Sequence, residues 1–132
     1  MSLKGLFRKL YKVRKYRYFM KDSLFLQAYG DSPKLRVMEF LITFQDYDYS
    51  MKEISKNAEI GYTTLKEFWQ DFVKRGIVKQ TRIVGKAKMF KLNLENKEVQ
   101  LFIKLYWTVI EGQTNKLLKQ PIRQLSQRQT VN

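Results

Sequence analysis

The 132-residue sequence predicts an α+β fold, in which a small helical core carries a basic β-hairpin. Residues 50–93 have the pattern of two short helices joined by a tight turn and followed at once by two strands. Apolar residues make up 44% of the chain, enough to bury a core. This order of elements is typical of a winged helix-turn-helix, whose second helix enters the DNA major groove while the hairpin, or wing, contacts phosphates.

The first core helix is predicted to begin at Pro33, the last residue of Gly30-Asp31-Ser32-Pro33, and to run to about Phe44. Ser32 is a favourable N-cap, and proline is favourable at the first helical position because its missing N–H would be unpaired there. The residues at helical spacing that we expect to be buried are Val37, Met38, Leu41 and Phe44.

The helix-turn-helix pair is predicted from its caps. Ser50 and Glu53 match a capping box, in which the serine hydroxyl accepts an amide hydrogen bond and the glutamate reaches back to the cap. The first helix turns Ile54 and Ala58 inward, residues 59–61 form the turn, and the second helix spans residues 62 to about 74. Gly76 suits a left-handed exit. The second helix has one apolar stripe, Leu65, Phe68, Trp69, Phe72 and Val73, assigned to the core.

The wing is predicted as strands at residues 77–83 and 88–94 around a tip at residues 84–87. Residues 77–94 contain five cations, Lys79, Arg82, Lys86, Lys88 and Lys91, and no acidic residue. Gly85 permits a tight turn and a close approach to a phosphate or the minor groove. Lysines can also protect an exposed sheet edge from aggregation, but five without a counter-charge exceed that need.

A last helix is predicted from residue 97 to about 110, capped by Asn96. It has two adjacent apolar strips, whereas a helix packed on one small domain needs only one, so the second strip predicts a homodimer. The two strips are Val99, Phe102, Ile103, Tyr106 and Ile110, and beside them Leu101, Leu105 and Val109. Residues 113–132, with five glutamines, are predicted to form a flexible tail.

The four predicted segments are residues 1–28, 29–94, 95–112 and 113–132. Residues 1–28 form a basic amphipathic extension with eight basic residues and one acidic residue, which is half of the net charge of +14. Three interpretations of this extension compete: docking of its apolar face on the domain or on a second copy, a basic arm along DNA, and a helix on a membrane surface.

Thirteen residues are predicted to contact DNA. The outer face of the second helix should read bases and phosphates, because threonine, glutamine and lysine all have suitable partners there; an ordinary solvated helix face is the alternative. The predicted set comprises Tyr62, Thr63, Thr64, Lys66, Glu67 and Gln70 on the helix, Lys79, Arg82, Gly85, Lys86 and Lys88 on the wing, and Ser50 and Lys52 at the cap of the first helix.

Catalysis and cofactor binding are not expected. The chain has neither Cys nor His, which removes thiolate nucleophiles, imidazole bases and the usual zinc ligands. The acids Asp46, Asp48 and Glu53 do not have the spacing of a calcium loop and are predicted to be solvated. No metal, cofactor or small-molecule substrate is expected. The sequence has no apolar run of membrane-spanning length and no signal-peptide pattern, so a cytoplasmic location is the expectation.

Several segments resemble a group of archaeal winged helix-turn-helix proteins described as predicted transcriptional regulators. The similarity covers residues 29–106, and its most specific parts are GDSP at residues 30–33, DYS at residues 48–50 and TRIVGKAKMFKLN at residues 81–93. The chain departs from the group in having Gly61 where serine is frequent and Lys97 where proline is frequent. The resemblance implies DNA binding, as a dimer, through the wing and the helix that begins near Gly61.

The leading hypothesis is therefore a double-stranded DNA-binding protein, a sequence-specific transcriptional regulator that acts as a homodimer. One alternative keeps DNA as the partner but makes the protein a replication, partition or chromatin-like factor with little sequence preference. Another makes the winged helix a protein-interaction module, with the N-terminal helix on an anionic membrane.

Overall fold

The computed structural model describes residues 23–131, with side chains through residue 118. Within these residues the chain forms five helices and a three-stranded antiparallel sheet. The alternatives for the N-terminal extension concern mainly residues 1–22, which lie outside the described part. The elements in chain order are α1 (Leu24–Tyr29), α2 (Pro33–Thr43), β1 (Tyr49–Ser50), α3 (Met51–Asn57), α4 (Tyr62–Lys74), β2 (Val78–Val84), β3 (Ala87–Leu92) and α5 (Lys97–Val131).

Helix α1 was not predicted from the sequence, because its six residues are too few to show helical periodicity. The Ser23 hydroxyl caps it by accepting a hydrogen bond of 3.0 Å from the Leu26 amide. Phe25 and Leu26 are buried in the core, although the sequence assigned them to the extension. Phe25 packs against Tyr106 of α5, with ring centroids 5.0 Å apart, so α1 joins the last helix to the domain.

The core is built from α2, α3 and α4 much as the sequence predicts. Ser32 and Ser50 are the N-caps of α2 and α3, and each accepts a hydrogen bond from a first-turn amide. In place of the full capping box, the Ser50 hydroxyl donates to the Glu53 carboxylate at 3.3 Å. One prediction was wrong: Val73 is 40% exposed, because it lies at the edge of the stripe that buries Leu65, Phe68, Trp69 and Phe72.

An arginine on α2 connects the turn before α2 to the turn between α3 and α4. Arg36 donates from Nε and Nη2 to both carboxylate oxygens of Asp31, at 2.6 and 2.7 Å. Its Nη1 donates to the Glu59 carbonyl at 3.1 Å. Glu59 has the left-handed φ of 56° and begins the turn between α3 and α4. These bonds therefore orient the turn that sets the start of α4.

The sheet has the order β1-β3-β2, with the short β1 added by pairing Tyr49 with Phe90. Strands β2 and β3 form the predicted wing around a two-residue tip. Gly85 has φ of 62° and Lys86 is not left-handed, as in a type II′ hairpin turn. The pairing passes from Gln80 opposite Phe90 to Arg82 opposite Met89, so one extra residue forms a β-bulge.

Helix α5 begins at a hydrogen-bonded junction with the end of α4. The Asn96 side chain accepts from the Val99 amide at 3.1 Å, as predicted for the cap, and donates to the Gly76 carbonyl at 3.0 Å. Gly76 itself has the predicted left-handed φ, 68°. The predicted end of the helix near residue 110 was wrong, because α5 continues to Val131. Lysine, leucine and glutamine, frequent beyond residue 113, are good helix formers.

A buried carboxylate lies where α1, α2 and α5 meet. Glu39 of α2 is only 4% exposed, and its Oε2 accepts a 2.9 Å hydrogen bond from the Ser23 hydroxyl. Burial raises the pKa of Glu39 to about 7, and hydrogen bonds to Ser23 and Tyr106 oppose the shift. The residue was not predicted as buried, because an acid on a helix is usually solvated.

Candidate nucleic-acid interface

The outer face of α4 presents most of the residues predicted for base contacts. Tyr62, Thr63, Lys66, Glu67 and Gln70 are exposed, whereas Thr64 is half-buried. The stripe on the opposite side is buried in the core, so the helix is held with this polar face outward. A helix anchored in this way can present side chains to a groove without losing its position.

The first turn of α4 contains a cation held over an aromatic ring. The Lys66 ammonium lies 4.9 Å from the centroid of the Tyr62 ring, which is itself 39% exposed. This contact keeps the ammonium near the N-terminus of α4 while leaving it accessible. The N-cap of α4 is Gly61, which has no side chain to accept a hydrogen bond from the first amides of the helix.

The wing places its predicted lysines in solvent. Every residue of β2 after Val78 is exposed, and Lys79, Lys86 and Lys88 are all exposed. Their ammonium groups are therefore accessible to a polyanion. The left-handed Gly85 lies at the tip with open space around its Cα, so a neighbouring phosphate can approach its backbone.

Arg82 differs from the wing lysines because it already has an acidic partner. Its Nε and Nη2 donate to the two carboxylate oxygens of Asp48, at 2.9 and 3.1 Å. Hydrogen bonds from Arg82 and Thr81 lower the pKa of Asp48 to about 2. Asp48 was predicted to be a solvated loop acid, and this was wrong: the residue lies 34 positions from Arg82 in sequence, and only the fold brings them together.

A groove of about 640 Å³ runs between the N-terminus of α3, the outer face of α4 and the wing. Its wall includes seven of the thirteen predicted residues: Ser50, Lys52, Tyr62, Gln70, Lys79, Lys86 and Lys88. No aspartate or glutamate is among the residues that line it. The other six predicted residues lie outside this wall, on α4 and on the wing. They are Thr63, Thr64, Lys66, Glu67, Arg82 and Gly85. The structure thus brings the cap, the helix and the wing together around one cationic concavity.

The two predicted residues at the start of α3 differ in how available they are to a ligand. Ser50 is engaged in capping α3, so its hydroxyl is committed to Glu53. Lys52 is exposed and free to contact a ligand as predicted. Sequence reasoning missed Val73 and Gln80, which also line the groove. The position of Gln80 beside Lys79 on a predicted wing strand was the available signal, whereas Val73 had been assigned to the core.

The side chains described by the structure contain no cluster of three or more acidic residues arranged to hold a metal ion. Among the same residues, no helix combines the length and apolar character needed to cross a membrane.

Comparison with known proteins gives matches in structure but not in sequence. No protein-family model matches the chain, and no curated protein matches it. MepR, a transcription regulator of the Staphylococcus aureus multidrug efflux pump MepA, is similar in structure with a TM-score of 0.58 at 11% identity, over 98% of this chain and 95% of that one. The adhesin competence repressor AdcR from Streptococcus pyogenes has a TM-score of 0.51 at 13% identity, over 91% and 94%.

At these identities the likeness concerns the fold. The helices, the antiparallel sheet and the hairpin of this chain form a fold whose match covers nearly the whole length of the two regulators. The chain therefore has the α+β winged helix-turn-helix fold predicted from its sequence.

Proposed function

We propose that this protein binds double-stranded DNA as a homodimer and acts as a sequence-specific transcriptional regulator in the cytoplasm, without catalysing a reaction. The observation that carries the proposal is the groove, where the outer face of α4 meets Lys52, Lys79, Lys86 and Lys88 with no acidic residue in its wall. A cationic concavity beside an exposed polar helix suits a phosphate backbone with base edges next to it.

The two regulators of similar structure support the same role, since both are named for control of gene expression. The motifs quoted from the sequence favour membership in the archaeal winged helix-turn-helix group. In the proposed complex α4 enters the major groove, with Gln70 and the threonines near base edges. The wing lysines contact the backbone, and Gly85 lets the tip approach the minor groove.

The homodimer is proposed from the surface of α5. Leu101 and Leu105 are 61% and 39% exposed, and they lie one turn apart on the side of the helix away from the buried Tyr106. Leu117 and Leu118, farther along the same helix, are also exposed. Two copies joined through α5 would present two α4 helices to half-sites about 10 base pairs apart, one turn of DNA.

Replacing Lys86 and Lys88 by alanine should weaken binding to all duplex sequences about equally. Binding releases counterions from each phosphate that the protein contacts. Each lost contact should therefore reduce the magnitude of the slope of log K against log salt by about 0.9. Fluorescence anisotropy across a salt series measures this. The double substitution Lys56→Ala with Lys97→Ala is the matched control, since both lysines are exposed and lie outside the groove. An equal change in slope in the control would mean that the two wing lysines make no specific contact with DNA.

Replacing Gln70 by alanine should alter the sequence preference at one position of the site. A bidentate amide contact to adenine contributes about 1–3 kcal/mol of discrimination, and this is lost while phosphate contacts remain. Selection from a randomised duplex pool measures the change, with Asn115→Ala on α5 as an exposed amide control. A uniform loss across all sequences would show that Gln70 only positions the protein.

A further inference from the structure

The ion pair between Asp48 and Arg82 is asymmetric in its exposure. The Asp48 side chain is 15% exposed, whereas the Arg82 side chain is 64% exposed. Asp48 therefore lies beneath the guanidinium group, against the domain, and Arg82 covers it from the solvent side. A third donor completes the arrangement, because the Thr81 hydroxyl donates to Oδ2 of the same carboxylate at 2.5 Å.

The β-bulge explains how two consecutive residues reach one carboxylate. Successive side chains of a regular strand point to opposite faces, so Thr81 and Arg82 would normally diverge. Thr81 is the extra residue of β2, because no residue of β3 is paired opposite it between the Gln80 and Arg82 pairings. The local change in direction turns both side chains toward Asp48. The bulge thereby joins the wing to the segment that leads into β1 and α3.

The hydrogen bonds to Asp48 use one edge of the guanidinium group and leave the other. Nε and Nη2 donate to the carboxylate, while the five donors of arginine form a planar fork with a second edge at Nη1 and Nη2. That second edge has the geometry for two parallel hydrogen bonds to a phosphate. A guanidinium already held in one orientation loses less side-chain entropy when it binds.

We propose that Asp48 is a positioning residue for DNA binding, which holds Arg82 so that the second edge of its guanidinium group contacts a backbone phosphate. This inference rests on the proposed function. It assigns Arg82 a directed contact, in distinction from the wing lysines, which act as mobile point charges. It also gives a reason for an acid beside the cationic wing: Asp48 acts through Arg82, and its own oxygens accept hydrogen bonds from Arg82 and Thr81.

The first test compares DNA affinity in a double-mutant cycle of Asp48→Asn and Arg82→Ala at fixed salt. Each substitution should weaken binding about fivefold, and the pair together should weaken it no more than Arg82→Ala alone, as coupled residues do. Glu98→Gln is the matched control, because it removes the same charge from an exposed ion pair with Arg75 and should leave the affinity unchanged. Tighter binding of Asp48→Asn, unchanged binding, or additive losses would each overturn the proposal.

A charge exchange distinguishes two roles of the ion pair: positioning Arg82 for DNA, and only holding the wing against the domain. Asp48→Arg combined with Arg82→Asp keeps an ion pair but moves the cation off the wing. We expect the thermal midpoint to stay near that of the wild type and the DNA affinity not to recover. Recovery of affinity would mean that the ion pair only holds the wing against the domain, which would overturn the proposal. If the wild type does not bind duplex DNA even at low salt, both this inference and the proposed function fail; normal wild-type binding with an uncoupled cycle rejects the inference alone.

Discussion

Replacing Leu101 and Leu105 of α5 by glutamate should convert the protein to a monomer and lower its affinity for a two-half-site duplex about 100-fold or more. Both side chains are already exposed, so the charged residues should leave the fold of each copy intact. In the proposed dimer, however, they would place four carboxylates in one apolar interface, where unpaired charges are strongly unfavourable. The loss follows because binding through two linked sites raises the overall affinity by a factor of about 10²–10⁴ over a single site.

Analytical ultracentrifugation and anisotropy on the same samples measure the two consequences together. The control is Lys97→Glu at the start of the same helix, which changes the net charge by the same −2 per chain without entering the apolar strip. It should remain dimeric and show only a small salt-dependent loss of affinity. If the doubly substituted protein stays dimeric, the exposed leucines are not the interface. If it becomes monomeric but binds the duplex as tightly as before, the two half-sites are not read by a dimer.

Replacing Glu39 by glutamine should stabilise the protein above neutral pH by up to about 3 kcal/mol. Burial raises the pKa of Glu39 from 4.5 to about 7 in the folded protein, and each pKa unit corresponds to about 1.36 kcal/mol. The folded state binds the proton more tightly than the unfolded state, so this group favours folding fully below about pH 4.5. That contribution is lost as the pH rises to about 7, where the buried carboxylate becomes charged.

Urea unfolding at pH 5 and pH 8, followed by tryptophan fluorescence, measures the predicted crossover. The glutamine amide can still accept the hydrogen bond from Ser23, so the variant should be close to the wild type at pH 5 and more stable at pH 8. Glu111→Gln, an exposed acid on α5, is the control and should shift stability little at either pH. A variant less stable than the wild type at pH 8 would show that the charged carboxylate is stabilised by its two hydroxyl neighbours.

The local elements of the fold could be predicted because their causes are local. Ser32, Ser50 and Asn96 cap helices through hydrogen bonds within three residues, and the stripe on α4 follows the helical period. The wing was predictable from the β-branched strand before Gly85 and from the alternation of Phe90 and Leu92 in the strand after it. The same local rules fail at α1, which is only six residues long, and at the end of α5, where a polar composition is typical both of a flexible tail and of an exposed helix.

The candidate site was only partly predictable. The lysines of the wing and the polar face of α4 were identified from charge and periodicity, and the structure places seven of the predicted residues around one groove. The pairing of Arg82 with Asp48 was missed because the residues are distant in sequence and a β-bulge decides where Arg82 points. Val73 was misassigned because periodicity locates the centre of a buried stripe better than its edge.

The sequence by itself determined the helix-turn-helix, the wing, the basic surface and the caps, since these depend on neighbouring residues and on the alternation of apolar and polar groups. Only the tertiary structure decided which ionisable side chains are buried and which are held by a partner. Asp48 is held under Arg82, and Glu39 is buried where α1 and α5 cover α2. Both outcomes depend on contacts between segments far apart in the chain, because packing, and not local pattern, sets the solvent access and the partners of an ionisable group.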